Sequence, residues 1–247
     1  VLIASGNVQN VSCFGENDGR IDVAVFGGTA DYTLVWSGPN TFFSDQLLID
    51  NLSPGNYLLS ITDAQGCSAS YETEITEDSE LQLSENHSNT LCFGEINGFI
   101  DLTIDGGQTP YDISWTTGGL EISTNEDLNG LSAGTYTVVV SDSNGCSSQL
   151  ELAIFENEEL IVGFDQEQPA CLSNDGKIEA ILTGGSGDYN YFWYDLNNGN
   201  ALIATEPLIT NLTSGNYFFE GFDDAGCSVN GTVLLSDAIG GVDLTST

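Results

Sequence analysis

Ile100-Asp101-Leu102-Thr103-Ile104 runs apolar, polar, apolar, polar, apolar and then stops at Gly106-Gly107. Side chains of an extended chain alternate between two faces, so this run predicts a strand with one buried and one wet side. Tyr111-Asp112-Ile113-Ser114-Trp115 and Tyr136-Thr137-Val138-Val139-Val140 alternate in the same way. Leu131-Ser132-Ala133-Gly134-Thr135-Tyr136 puts a glycine turn ahead of a tyrosine that opens a strand, the arrangement of a tyrosine corner. Asp142-Ser143-Asn144-Gly145 fits a hairpin turn, with Asp bonding its own backbone and Gly at positive φ. No stretch carries helical periodicity. About seven short strands, with turn signals about every 8–12 residues, predict an antiparallel sandwich.

The same text occurs three times. Cys13-Phe14-Gly15-Glu16-Asn17-Asp18-Gly19 returns as Cys92-Phe93-Gly94-Glu95-Ile96-Asn97-Gly98 and, one residue shorter, as Cys171-Leu172-Ser173-Asn174-Asp175-Gly176. Cys13, Cys92 and Cys171 are 79 residues apart each time, and Trp36, Trp115 and Trp193 hold nearly the same period. Tyr57, Tyr136 and Tyr217 hold it within two residues. Each unit closes on a further cysteine, in Asp63-Ala64-Gln65-Gly66-Cys67, Asp142-Ser143-Asn144-Gly145-Cys146 and Asp223-Asp224-Ala225-Gly226-Cys227. The 247 residues divide into repeats at 1–79, 80–158 and 159–238. Val242-Asp243-Leu244, within 239–247, resembles the start of a fourth. The predicted fold is all-β: three tandem Ig-like antiparallel β-sandwich repeats, end to end. Tandem copying of a whole domain serves length, multivalency or elasticity and rarely catalysis.

Charge narrows the function classes. Thirty-seven acids stand against two bases, Arg20 and Lys177, for a formal net charge of −35. Such a surface repels nucleic acid and anionic headgroups, which excludes binding to a phosphate backbone. No run of apolar residues is long enough to cross a membrane as a helix, so direct membrane insertion is not expected. The chain draws its counterions from solvent, and divalent cations suit a carboxylate-rich surface.

The six cysteines fall two per repeat. Zinc would need closely spaced cysteine pairs or histidines, and the chain has one histidine. Disulfides are expected instead, with an oxidising, extracellular setting. Pairing within each repeat, Cys13–Cys67, Cys92–Cys146 and Cys171–Cys227, closes loops of 54, 54 and 56 residues. Each such bridge is worth about 4 kcal/mol in the chain-entropy model.

The ordered pattern of Cys92 to Asp101, Gly106 to Trp115, Leu131 to Tyr136 and Asp142 to Cys146 resembles the SprB-type repeat. Repeat 1 matches nearly as well, whereas repeat 3 lacks the Phe-Gly after Cys171 and lengthens the segment after Trp193. The resemblance implies a very large cell-surface adhesin of gliding bacteria, exported by a type IX system and moved along the outer surface. It supplies no catalytic residues. The function implied is a stalk that presents adhesive regions, its partners being neighbouring repeats of the same long chain. The alternative is direct binding of a glycan or surface protein through the variable segments 37–50, 116–129 and 194–210.

Candidate sites follow from what repeats and what does not. His87 is single and unrepeated, so no catalytic triad is expected around it, and an enzyme is not expected. Glu74, Glu77, Asp78 and Glu80 crowd the first junction, and Glu156, Glu158 and Glu159 the second, as candidate Ca²⁺ ligands. Asp63, Asp142 and Asp223 read as turn formers. The three tryptophans share a strand face with Tyr32 and Leu34, or with Tyr111 and Ile113, and read as core. Outward positions held by Asp112, Ser114, Thr137 and Ser141 in repeat 2 become Asn190, Phe192, Phe218 and Phe222 in repeat 3. Phe192, Phe218 and Phe222 are therefore a candidate partner-contact face.

Overall fold

The computed structural model describes residues 1–237, and the expected opening of a fourth repeat at 239–247 lies outside them. Repeat 1 consists of β1 (Ile3–Gln9), β2 (Gly19–Phe26), β3 (Thr33–Ser37), β4 (Phe43–Ser44), β5 (Leu48–Leu52), β6 (Gly55–Thr62) and β7 (Ser68–Ile75). Repeat 2 has β8 (Gln82–Ser88), β9 (Gly98–Asp105), β10 (Asp112–Thr117), β11 (Leu120–Ser123), β12 (Leu128–Leu131), β13 (Gly134–Ser141) and β14 (Ser147–Ile154). Repeat 3 has β15 (Glu158–Glu167), β16 (Gly176–Gly185), β17 (Asn190–Asp195), β18 (Ala201–Ala204), β19 (Leu208–Leu212), β20 (Gly215–Phe222) and β21 (Ser228–Leu235).

Every repeat folds its seven strands into one three-stranded and one four-stranded sheet. In repeat 1 the orders are β1-β2-β5 and β4-β3-β6-β7, and repeats 2 and 3 reproduce both orders with their own strands. The pairings are antiparallel. This is the Ig-like sandwich the alternation predicts. The burial strings show why it forms: β2 and β9 bury alternate residues, as does β16.

Contacts divide the chain into two compact units that share the middle repeat: residues 1–86, 101–127 and 135–152, and residues 87–100, 128–134 and 153 onward. In the first, Ile21, Val23, Trp36, Leu52, Tyr57 and Leu59 anchor a core sealed by Ile61 and Ile75. In the second, Ile178, Leu182, Trp193, Tyr217, Phe219 and Leu235 do the same. Trp36, Trp115 and Trp193 are wholly buried, so all three are core. Each indole N–H donates to a backbone carbonyl, of Gln46, Asn125 and Glu206 respectively, which removes the cost of burying it unpaired.

The tyrosine corner is present in repeats 1 and 3. The Tyr57 hydroxyl donates to the Ser53 carbonyl at 2.9 Å, and Tyr217 to Thr213 at 2.9 Å. A second tyrosine secures the Gly-Gly bend: the hydroxyls of Tyr32, Tyr111 and Tyr189 donate to the carbonyls of Gly27, Gly106 and Gly184. Gly27 and Gly28 have φ of 73° and 66°, and a side chain on Gly27 would collide with the Val1 carbonyl.

The register fixes which residues share an end of repeat 1. Gly19 pairs with Leu52, Gly55 pairs with Ile75, and the Val11 N–H donates to the Thr76 carbonyl. Cys13 therefore lies at the end where β6 begins. Thr62 pairs with Ser68, and the Thr29 N–H donates to Asp63, so Cys67 lies at the end where β6 finishes.

Candidate functional site

Strand β6 is eight residues long, so the two ends of repeat 1 are about 26 Å apart. A disulfide needs Cα atoms within about 7 Å. The expected pairing Cys13–Cys67 cannot form, and Cys92–Cys146 and Cys171–Cys227 fail for the same reason. The bridges instead cross between repeats. Cys13 joins Cys146 with Cα atoms 5.6 Å apart, and Cys92 joins Cys227 at 5.5 Å. The loop cysteine of one repeat thus bonds the turn cysteine of the next. Cys67 and Cys171 are free and exposed.

The turn cysteine is presented by a carboxylate. Asp142 Oδ1 accepts from the N–H groups of Asn144 and Cys146, and its Oδ2 accepts from Gln108. Asp223 Oδ1 holds the Cys227 N–H and its Oδ2 the Ser186 N–H. Asp63 Oδ1 accepts from Gln65 and Cys67, and Oδ2 from Thr29. One side chain thus shapes the hairpin turn and ties it to the neighbouring loop, the turn-forming role its position predicts. The donors, Thr29 first and then Cys67, hold the Asp63 carboxyl below its ordinary value. Gly66, Gly145 and Gly226 close these turns at φ of 82°, 87° and 85°.

The loop cysteine is presented by a second carboxylate. Asp18 accepts the Ser12 N–H at 2.9 Å, and Asp175 accepts the Ala170 N–H at 2.8 Å. Both carboxyls lie below the usual value for that reason: Asp18 through Ser12, side chain first and then backbone, and Asp175 through Ala170, then the Ser173 side chain. A side-chain amide then pins the outgoing chain. Asn10 accepts from Thr76 N–H at 3.0 Å, Asn89 from Phe155 at 2.8 Å, and Gln168 from Ser236.

The junction acids do several jobs. Glu77 accepts the Gly15 N–H at 3.0 Å, and Glu156 accepts the Gly94 N–H at 2.8 Å, so both brace the cysteine loop. Asp78 accepts from the Asn144 amide at 2.9 Å, binding the linker to the turn that carries Cys146. Glu80 accepts from Gln82. Glu74 lies on β7, and Glu158 opens β15 with Glu159 beside it. Among the described residues no three acidic, cysteine or histidine side chains gather as a metal-ligand group. A cleft of about 450 Å³ flanks Cys13–Cys146 and one of about 550 Å³ flanks Cys92–Cys227, the first lined by Glu16, Asp78, Glu80 and Asp142.

Phe192 and Phe222 meet edge to face with ring centroids 5.9 Å apart, and Phe218 meets Tyr194 in a tilted pair at 5.9 Å. Strand β17 pairs with β20, placing Asn190 opposite Phe222, Phe192 opposite Glu220 and Tyr194 opposite Phe218. The aromatics form two half-buried pairs flanking Glu220, on the outer face of the sheet. The exposed Leu202 extends this face from β18, beside Tyr194. The segment 194–210 also borders a cleft of about 430 Å³ lined by residues such as Asp195, Ile203, Glu206 and Tyr217. His87 is half-buried on β8.

The sandwich and its repeated junction define a class, the tandem Ig-like array. The SprB repeat model matches residues 5–41, 84–120 and 163–198, one segment in each sandwich. Each sandwich thus carries one segment with the sequence of an SprB repeat. No curated protein matches the sequence. The fold is similar to the N-terminal eight Ig domains of Down Syndrome Cell Adhesion Molecule isoform 1.30.30, with 15% identity and a TM-score of 0.47. That match covers 96% of this chain and 36% of the other. It is also similar to immunoglobulin domains 1–5 of Sidekick-1, at 13% identity and a TM-score of 0.41, over 96% and 58% of the two chains. The chain thus spans about a third to three-fifths of the length of these structures. Among the described residues no helix is long and apolar enough to cross a membrane.

Proposed function

We propose that this chain is a tension-carrying stalk segment of an exported surface adhesin, in which covalent bridges between repeats limit how far it lengthens when its cores open. The observation behind this reading is that both bridges cross from one repeat to the next. A bridge within a repeat protects that repeat alone, whereas a bridge across a junction limits how far the array lengthens when cores open. From Val1 the shortest covalent route reaches Cys13, crosses to Cys146, returns along the chain to Cys92 and crosses to Cys227. That route holds about 76 residue steps between Val1 and Asp237 in place of about 236. At about 3.5 Å per residue its fully stretched length is about 270 Å, against about 830 Å once the bridges are reduced.

Pulling single molecules by their ends tests this. The expected result is a contour near the shorter value in oxidising buffer and near the longer one with reductant. Equal contours in both would sink the reading. The SprB resemblance extends the proposal to display on gliding bacteria after type IX export, which surface labelling of intact cells would check. Calcium at the junction clefts remains part of this reading, read out as a rise in melting temperature on adding calcium and its loss with chelator. A lateral contact through Phe192, Phe218 and Phe222 is supported by their outward placement, and Phe192→Ser with Phe218→Thr would abolish self-association in sedimentation. The alternative, glycan or protein capture by the segments 37–50, 116–129 and 194–210, predicts a saturable ligand that maps to the cleft beside Asp195.

A further inference from the structure

Four half-clamps in this chain are occupied and two are not. Cys146 and Cys227, the occupied turn cysteines, are half-buried and buried, whereas Cys67 is exposed in a turn of the same construction. The Asp63 carboxylate holds the Cys67 N–H at 2.8 Å, as Asp142 and Asp223 hold those of Cys146 and Cys227 at 2.9 Å. At the other end, Cys171 occupies the place of Cys13 and Cys92. Its loop is closed by Asp175 as the Cys13 loop is closed by Asp18. Its outgoing chain is pinned by Gln168 as the others are by Asn10 and Asn89. Gly176, like Gly19 and Gly98, lies so close to a facing carbonyl and a core side chain that a Cβ would collide. Both sites are thus shaped as half-clamps before any partner arrives.

We infer that Cys67 and Cys171 are complementary docking thiols, each taking the opposite cysteine of a further SprB-type repeat. Cys67 receives a loop cysteine of the Cys13 kind, and Cys171 receives a turn cysteine of the Cys146 kind. The occupant is a repeat of this same chemistry because the two filled junctions show that pairing and no other: loop with turn, never loop with loop. Such head-to-tail contacts use two different surfaces, so each added repeat leaves one half-clamp for the next. Closure of each bridge breaks two S–H bonds and forms one S–S bond. The two electrons and two protons pass to a disulfide oxidant, such as a thiol–disulfide oxidoreductase or oxidised glutathione, which leaves as two thiols. This assignment stands whether or not the array carries tension.

The 247-residue chain itself supplies the test, since it holds one half-clamp of each kind. The Cys67→Ser variant keeps Cys171, and Cys171→Ser keeps Cys67. Both substitutions fall at exposed, unbonded positions, so folding is retained. The two variants are mixed at about 1 mM, the effective concentration a short tether would give, in a glutathione redox buffer. The expected result is a Cys67–Cys171 heterodimer forming about tenfold or more faster than the homodimer of either variant alone, because geometry selects the pair. Adding Asp63→Ala to the partner that keeps Cys67 should remove most of that preference. Heterodimer formation no faster than homodimer formation, or none at all, would overturn the assignment.

Discussion

The turns at Cys146 and Cys67 are built alike and end differently. Each is a hairpin turn whose aspartate caps the cysteine N–H and reaches across to a neighbouring loop. One finds a loop cysteine 5.6 Å away and is bridged, and the other faces no partner and stays a thiol. The turn is therefore a prefabricated half, shaped by its own repeat, and the bond depends only on what is brought to it. Interiors and junctions divide the work: cores make each sandwich, and the capped turns and loops make the array.

The largest expected effect separates the two turns directly. Cys146→Ser removes a bridge that closes 133 residues, and it should cost about 5 kcal/mol in denaturant unfolding on the chain-entropy model. Cys67→Ser should change stability by less than about 0.5 kcal/mol. Comparable losses at both positions would break the contrast.

Next comes the capping aspartate. Asp142→Ala strands the part-buried N–H groups of Gln108, Asn144 and Cys146, and should cost about 1–2 kcal/mol and slow reoxidation of Cys13 with Cys146. Acid should act at the same points. Asp18, Asp63 and Asp175 have carboxyls held below the ordinary value of 3.8, so their stabilisation is present above that value. It is lost as pH falls through their depressed folded values. A pH series of melting temperatures should show the loss beginning below about pH 4, and Asp63→Asn should flatten it. Tyr217→Phe, which removes the corner bond to Thr213, should cost about 1 kcal/mol in repeat 3. The smallest effect is on the outer sheet. Phe218→Thr removes the tilted ring contact with Tyr194 and should cost about 0.5–1 kcal/mol, while Thr137→Ser at the matching position of repeat 2 costs almost nothing.

The sandwich was legible because its causes are local. Alternation in Ile100 to Ile104 decides which face is wet, the Asp142 to Gly145 turn carries its own hydrogen bonds, and Tyr57 reaches only four residues back. The junction was not, because a fixed 79-residue period makes pairing within a repeat and pairing across repeats look alike in spacing. Strand direction breaks that tie. Cys13 precedes β2 and Cys67 precedes β7, two strands that start at opposite ends of the sandwich. The junction amides were visible as a period too, in Asn10, Asn89 and Gln168, but a lone amide carries no signal until its partner is placed. The bracing role of Glu77 and Glu156 was not legible, because charge alone does not reveal an N–H donor 62 residues away in the loop they brace.

The most direct measurement is disulfide mapping of the oxidised chain, digested at its acidic residues under non-reducing conditions and sequenced by mass spectrometry. Crossed bridges predict linked peptides containing Cys13 with Cys146 and Cys92 with Cys227, with Cys67 and Cys171 open to alkylation. Linked peptides containing Cys13 with Cys67 and Cys92 with Cys146 would contradict the account.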